Sequence, residues 1–136
     1  MESLNKHQDL PSSPDPHLSA RLVLTTTSNA DEAALLARTL VEERLAACAT
    51  LIPAVESIYH WEGQVETSTE ALLLLKTVPD QLPALESRLR ELHSYQVPEF
   101  LVLSIESGSH AYLEWLHASL RKPPFAAANP ARPGPA

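Results

Sequence analysis

The chain is poor in the residues that mark several common protein classes. One cysteine, Cys48, stands among 136 residues, which excludes an internal disulfide framework and any multi-cysteine zinc knuckle. A lone cysteine fits a reducing compartment. Glycine occurs three times, and only Gly63 and Gly108 fall in the hydrophobic middle of the chain. They cannot build a glycine-rich phosphate loop, and no G-x-S-x-G nucleophile elbow occurs. Basic residues are scarce, 10 against 17 acidic ones, for a formal net charge of −7. Such a field repels a phosphate backbone, so no nucleic-acid partner is expected. The longest aliphatic run, residues 71–75, is far too short to cross a bilayer. The opening stretch MESLNKHQDLPSSPDPHLSA lacks the apolar core of a secretory signal. The expectation is a cytoplasmic protein with no membrane attachment.

What is present divides the chain into a domain and two tails. Apolar residues make up 44% and charged residues 20%, the mix of one ordinary globular domain. Eight of the twelve prolines lie near the ends: Pro11, Pro14 and Pro16, then Pro123, Pro124, Pro130, Pro133 and Pro135. Residues 1–18 and 122–136 also lack apolar periodicity and read as flexible tails. The domain is then residues 19–121, enough for one modest core.

Within it the hydrophobic period changes repeatedly. RLVLTTT (21–27) is rich in β-branched residues and reads as a strand. Ser28 or Asn29 can cap a helix with Asp31 and Glu32 in its first turn. Ala33, Leu36, Ala37, Leu40 and Val41 form its apolar stripe. CATLIPAVESIYHW (48–61) reads as a long strand with a bulge or edge position at Pro53, and Gly63 marks a hairpin turn. STEALLLLKT (68–77) reads as a buried strand. Pro79 and Asp80 open a second helix with the stripe Leu82, Leu85, Leu89 and Leu92, which Pro98 ends. EFLVLSIES (99–107) is the fourth strand, and a short helix carries Tyr112, Leu113, Trp115 and Leu116. The order βαββαβ plus one helix predicts an α+β, ferredoxin-like arrangement, a four-stranded antiparallel sheet with two helices on one face. The extra helix would cover only part of the other face. That bare face and the length of strand 48–61 predict self-association.

Five blocks, ERLAACATLIP (43–53), SIYHWEG (57–63), LLLLKT (72–77), LHSYQVPE (92–99) and YLEWL (112–116), resemble in order and spacing the CutA family of divalent-cation tolerance proteins. The resemblance covers roughly residues 21–120. It implies a ferredoxin-like subunit in a compact homotrimer, joined edge to edge through the long strand. It also implies binding of copper or another divalent ion and a part in metal tolerance. The metal ligands implied are Cys48, Glu70 and His93, donor types that suit copper or zinc. The chain departs from the family pattern at Ser94, where proline is usual, at Thr50, where asparagine is frequent, and at Thr25, where some bacterial members carry cysteine.

Each candidate also has a structural reading. Cys48 follows an apolar LAA and fits as a small buried hydrophobe. His93 ends a helix and can serve the last carbonyls instead of a metal. Tyr59, Trp61, Tyr95, Tyr112 and Trp115 fit core and interface packing. The architecture is also similar to the trimeric PII-type signalling proteins. On that alternative, Tyr59, Trp61, Tyr95 and Trp115, with Lys76, Gln96 and Glu99 as polar anchors, line an inter-subunit cleft for a small ligand or a protein partner. No catalytic residues and no organic cofactor are expected, and the chain is not expected to be an enzyme.

Overall fold

The computed structural model describes residues 16–121. Most of the two expected tails, residues 1–15 and 122–136, lies outside the described residues, while Pro16–Leu18 forms a 3-10 turn. The elements that follow are β1 (Ala20–Thr27), α1 (Ala30–Glu42), β2 (Cys48–Trp61), β3 (Gln64–Thr77), α2 (Leu82–Leu92), β4 (Leu101–Ile105) and α3 (His110–Leu120). The strands form one antiparallel sheet in the order β2-β3-β1-β4. The expected α+β class and the additional C-terminal helix are both present.

Local chemistry starts α1. Asn29 Oδ1 accepts the Glu32 N–H (2.8 Å), and the Glu32 carboxylate turns back to accept from Ser28 Oγ (2.8 Å) and Ser28 N–H (3.3 Å). This is a reciprocal cap of the capping-box type. At the other end Arg44 turns left-handed, with φ 60°. Its N–H bonds the Val41 carbonyl, and Nη1 donates to the Ser119 carbonyl (2.7 Å), tying the end of α1 to α3. Ala33, Leu36, Ala37 and Leu40 form the buried stripe.

The sheet has two unlike faces, because side chains alternate along each strand. Val23, Leu73 and Leu75 point toward α1 and α2 and meet Leu36, Leu40, Leu85 and Leu89 in the main core. Opposite them lie Leu22, Leu24, Leu72, Leu74, Leu101 and Leu103. α3 covers one end of this second face, packing Leu116 and Leu120 against Ala20, Val78 and Ile105. Beyond α3 the face is bare: Leu101 is 55% exposed and Leu103 43%.

Two strands differ in length from the sequence reading. β3 starts at Gln64 rather than at residue 68, since its pairing with β2 runs to the turn, Trp61 opposite Gln64. Cross-strand hydrogen bonding, which the apolar pattern does not report, sets that limit. The turn is Glu62-Gly63 with φ 49° and 81°, both positive as a two-residue hairpin turn requires. The ladder breaks between Ile52 and Val55, the expected position beside Pro53. β4 covers residues 101–105 rather than 99–107. Its last pair with β1 is Leu24 opposite Leu101, and the Thr26 carbonyl beyond it accepts His93 Nε2 instead (2.7 Å).

Thr25 is fully buried on the helix-facing side, and its hydroxyl has no hydrogen-bond partner. An unpaired buried hydroxyl is destabilising. The near-isosteric change Thr25→Val should therefore raise stability by about 1 kcal/mol, read as a higher urea midpoint at unchanged slope.

Candidate functional site

The candidate site grows from the segment between α2 and β4. The α2 ladder ends as the His93 N–H bonds the Leu89 carbonyl (2.9 Å), and His93 is then extended, at φ −76° and ψ 140°. The His93 ring is buried. Nε2 meets the Thr26 carbonyl (2.7 Å) and Nδ1 meets the Tyr95 N–H (3.1 Å). A carbonyl only accepts and an amide only donates, so the ring is the neutral Nε2–H tautomer. Neither nitrogen keeps a lone pair for a metal.

His93 thereby places Tyr95, whose ring centroid is 4.8 Å from its own. The Tyr95 hydroxyl donates to Glu70 Oε2 at 2.6 Å. Burial, then the bond to and charge of Glu70, push the Tyr95 phenol far above its ordinary value, so the hydroxyl remains a donor. Glu70 is a buried carboxylate on the half-bare sheet face. Glu99 is exposed as a residue, yet the partial burial of its carboxyl and the nearby Glu70 charge raise it above the usual carboxylate value. The group is the Glu70 carboxylate with one phenol fixed on it and Glu99 within reach of its charge.

Glu32 fastens this segment from the side. Its carboxylate accepts the Ser94 N–H at Oε2 (2.9 Å) and the Ser94 hydroxyl at Oε1 (3.0 Å), besides the Ser28 bonds. Oε2 also lies 3.8 Å from His93 Nδ1. Burial alone would push Glu32 up, but the bonds from Ser94 and Ser28 outweigh it and hold its pKa below the ordinary value.

The remaining sequence candidates sit elsewhere. Cys48 pairs with Lys76, whereas Glu70 pairs with Val55. Six residues of strand separate them along β3, about 20 Å. Cys48, Glu70 and His93 therefore do not meet within one chain, and among the described residues no three His, Cys, Asp or Glu side chains gather in a metal-holding group. The residues expected in one cleft also separate within the chain. Tyr95 and Glu99 belong to the Glu70 group, and Gln96 is exposed beside them. Lys76 donates to the Tyr112 hydroxyl (3.2 Å) near Trp115 and Cys48 at the α3 end of the face. Tyr59 and Trp61 stand 41% and 61% exposed on the β2–β3 hairpin, with Tyr59 Oη bonded to Ser68 Oγ (3.1 Å). A shallow groove of about 490 Å³ runs between α1 and the β2 edge and includes Cys48 and Trp115. The sequence reading placed Glu32 only as a helix-start acid and Ser94 only as a departure from a proline. The cap was legible in Ser28, Asn29 and Glu32. The Ser94 contact spans 62 positions and has no local signal.

Glu32 has a lowered folded pKa, so its contribution to stability is present above its unfolded value, near 4.5, and is lost as pH falls through the folded one. Glu99, raised, acts in the opposite sense and loses its contribution as pH rises through its folded value. Urea unfolding should show stability falling below about pH 4.5. Glu32→Gln should flatten that fall, as checked by the urea midpoint between pH 3 and 6; an unchanged slope would contradict the assignment.

Known proteins share both the sequence and the fold. The family model described as CutA1 divalent ion tolerance protein matches residues 21–119. The divalent-cation tolerance protein CutA of Thermus thermophilus is 45% identical over 95 residues, covering 70% of this chain and 92% of that protein. The chloroplastic protein CutA 1 of rice is 42% identical over 101 residues, 74% of this chain, which spans only 57% of that relative. The solved CutA structure from Synechococcus elongatus superposes with a TM-score of 0.74 at 41% identity, covering 76% of this chain and 92% of that one. Among the described residues no helix is long and apolar enough to cross a membrane. By sequence and by fold, the chain belongs to the CutA1 divalent ion tolerance family.

Proposed function

We propose that the chain is a non-enzymatic protein of divalent-ion tolerance that acts by binding divalent cations, copper among them, as a homotrimer. Its relatives carry the name divalent-cation tolerance protein. The observation that carries the reading here is the buried Glu70 carboxylate held by the Tyr95 hydroxyl, with Glu99 near enough to feel its charge. Glu99 is raised in part by the Glu70 charge, and a cation held by the two carboxylates would offset that repulsion. Tyr95 occupies Glu70 Oε2, which leaves Oε1 and the Glu99 carboxylate as proposed ligands, completed by water. An all-oxygen set suits copper(II) and other hard or borderline ions rather than copper(I). Cys48 of the same chain is too distant to share that ion, so within one chain the ligand set implied by resemblance contracts to Glu70 and gains Glu99. The half-buried free thiol of Cys48 fits a reducing cytoplasm.

The subunit reading is ferredoxin-like, supported by the strand order β2-β3-β1-β4 and the two helical crossovers. The trimer is supported by the bare leucine strip and by two free sheet edges, β2 and β4, which a second and third copy can pair.

Calorimetric titration with copper(II), zinc(II) and manganese(II) tests the site. Glu70→Gln should weaken binding about tenfold or more, and Cys48→Ala should leave it unchanged. Loss in Cys48→Ala with none in Glu70→Gln would overturn the assignment. Sedimentation tests the assembly: the natural chain should run as a trimer at micromolar concentration, and Leu103→Lys as a monomer. A monomeric natural chain would remove the trimer.

A further inference from the structure

We infer that Glu32 is a positioning residue whose grip on Ser94 holds the Tyr95 hydroxyl on Glu70, in place of the backbone constraint a proline at position 94 would supply. The first observation is conformational. His93 sits at φ −76° and ψ 140°, the extended region that a residue preceding proline is driven into by steric clash. Position 94 is serine, so no ring enforces this geometry. The second observation is what the serine does. Its N–H and its hydroxyl both donate to one carboxylate, Glu32, at 2.9 and 3.0 Å. A proline has no N–H to give. Hydrogen bonds to a charged acceptor are the stronger kind.

The third observation is the connection onward. One residue beyond Ser94, the Tyr95 N–H is fixed on His93 Nδ1 (3.1 Å), and its hydroxyl reaches Glu70 at 2.6 Å. The Glu32 side chain is itself held, because Ser28 binds it from the start of α1. The route from α1 to the carboxylate pair is therefore Ser28, Glu32, Ser94, Tyr95 and Glu70. Each step is a hydrogen bond or one peptide unit. Glu32 touches Ser94 and not the proposed cation, and its influence there passes through Tyr95. Unlike a covalent ring, this constraint can open when its bonds break, so the exposure of Glu70 is adjustable.

The consequence for cation affinity rests on the reading of Glu70 and Glu99 given above; the latch does not. Hydrogen–deuterium exchange of the Tyr95 amide in the full chain, without metal, therefore tests the latch. Glu32→Ala should speed that exchange about tenfold, and Ser94→Ala by less, since its N–H bond remains. Ser94→Pro should stay near the natural rate, and Glu32→Ala combined with Ser94→Pro should return to it. That rescue separates positioning from general destabilisation, which a second substitution would only deepen. If Glu32→Ala does not fold, Ser94→Ala against Ser94→Pro gives the same contrast. Unchanged exchange in Glu32→Ala, or a double variant as loose as the single one, would overturn the inference. Copper(II) titration of the same variants is the second arm. Affinity should shift in Glu32→Ala and return to the natural value in the double variant. The predicted exchange pattern with copper affinity indifferent to every variant would support the latch and sink the cation site.

Discussion

The antiparallel register of β1 against β3 is the constraint on which the other features depend. Val23 stands opposite Leu75, and Thr25 opposite Leu73. That alignment sends one set of side chains into the helical core and the other set to the second face. A slip of one residue would exchange the two sets, burying Lys76 and Glu70 under the helices and turning Leu73 and Leu75 outward. The neighbouring β2–β3 pairing sets Cys48, opposite Lys76, and Glu70, opposite Val55, at opposite ends of one face. The separation of the thiol from the carboxylate cluster is thus a property of the sheet rather than of any loop.

At the Glu70 end, the histidine that metal chemistry would call on is occupied by structure. His93 closes the edge of β1 by donating to the Thr26 carbonyl and orients Tyr95 by accepting its amide. A buried imidazole with both nitrogens paired contributes to order, and removing either partner would leave an unsatisfied group at a cost of about 1–3 kcal/mol. The chemistry available to a cation is then carboxylate oxygen, with the Tyr95 hydroxyl kept on Glu70. At the opposite end α3 covers the sheet and Lys76 meets Tyr112. Between the two ends lies the leucine strip, whose exposure is the structural reason for expecting further copies of the chain.

The elements were legible where a single period governed a segment. The α1 stripe from Ala33 to Leu40 and the α2 leucines follow the helical repeat, and their burial matches it. Pro53 announced the break in β2. The limits of β3 and β4 were not legible, because cross-strand pairing rather than the apolar pattern decides them: Gln64 is strand because Trp61 is opposite, and the β4 side of β1 gives way at Thr26 to the His93 side chain. The site was legible in part. Tyr95, Glu99 and Glu70 were singled out, and the first two share a group with the third. Cys48 and His93 were singled out as ligands by the family resemblance, which says nothing about distance or about prior hydrogen bonds in this chain. Glu32 and Ser94 escaped because each has an ordinary local role, and their contact exists only in the folded chain.

The proposed role turns on a divalent cation held by the carboxylates at the Tyr95 end of the sheet. Anomalous scattering from crystals of the natural chain grown with copper(II) measures this directly. The expected result is one peak per subunit at the Glu70 and Glu99 carboxylates, with Tyr95 still on Glu70. A peak at Cys48, or on a His93 ring turned away from Thr26, would contradict it.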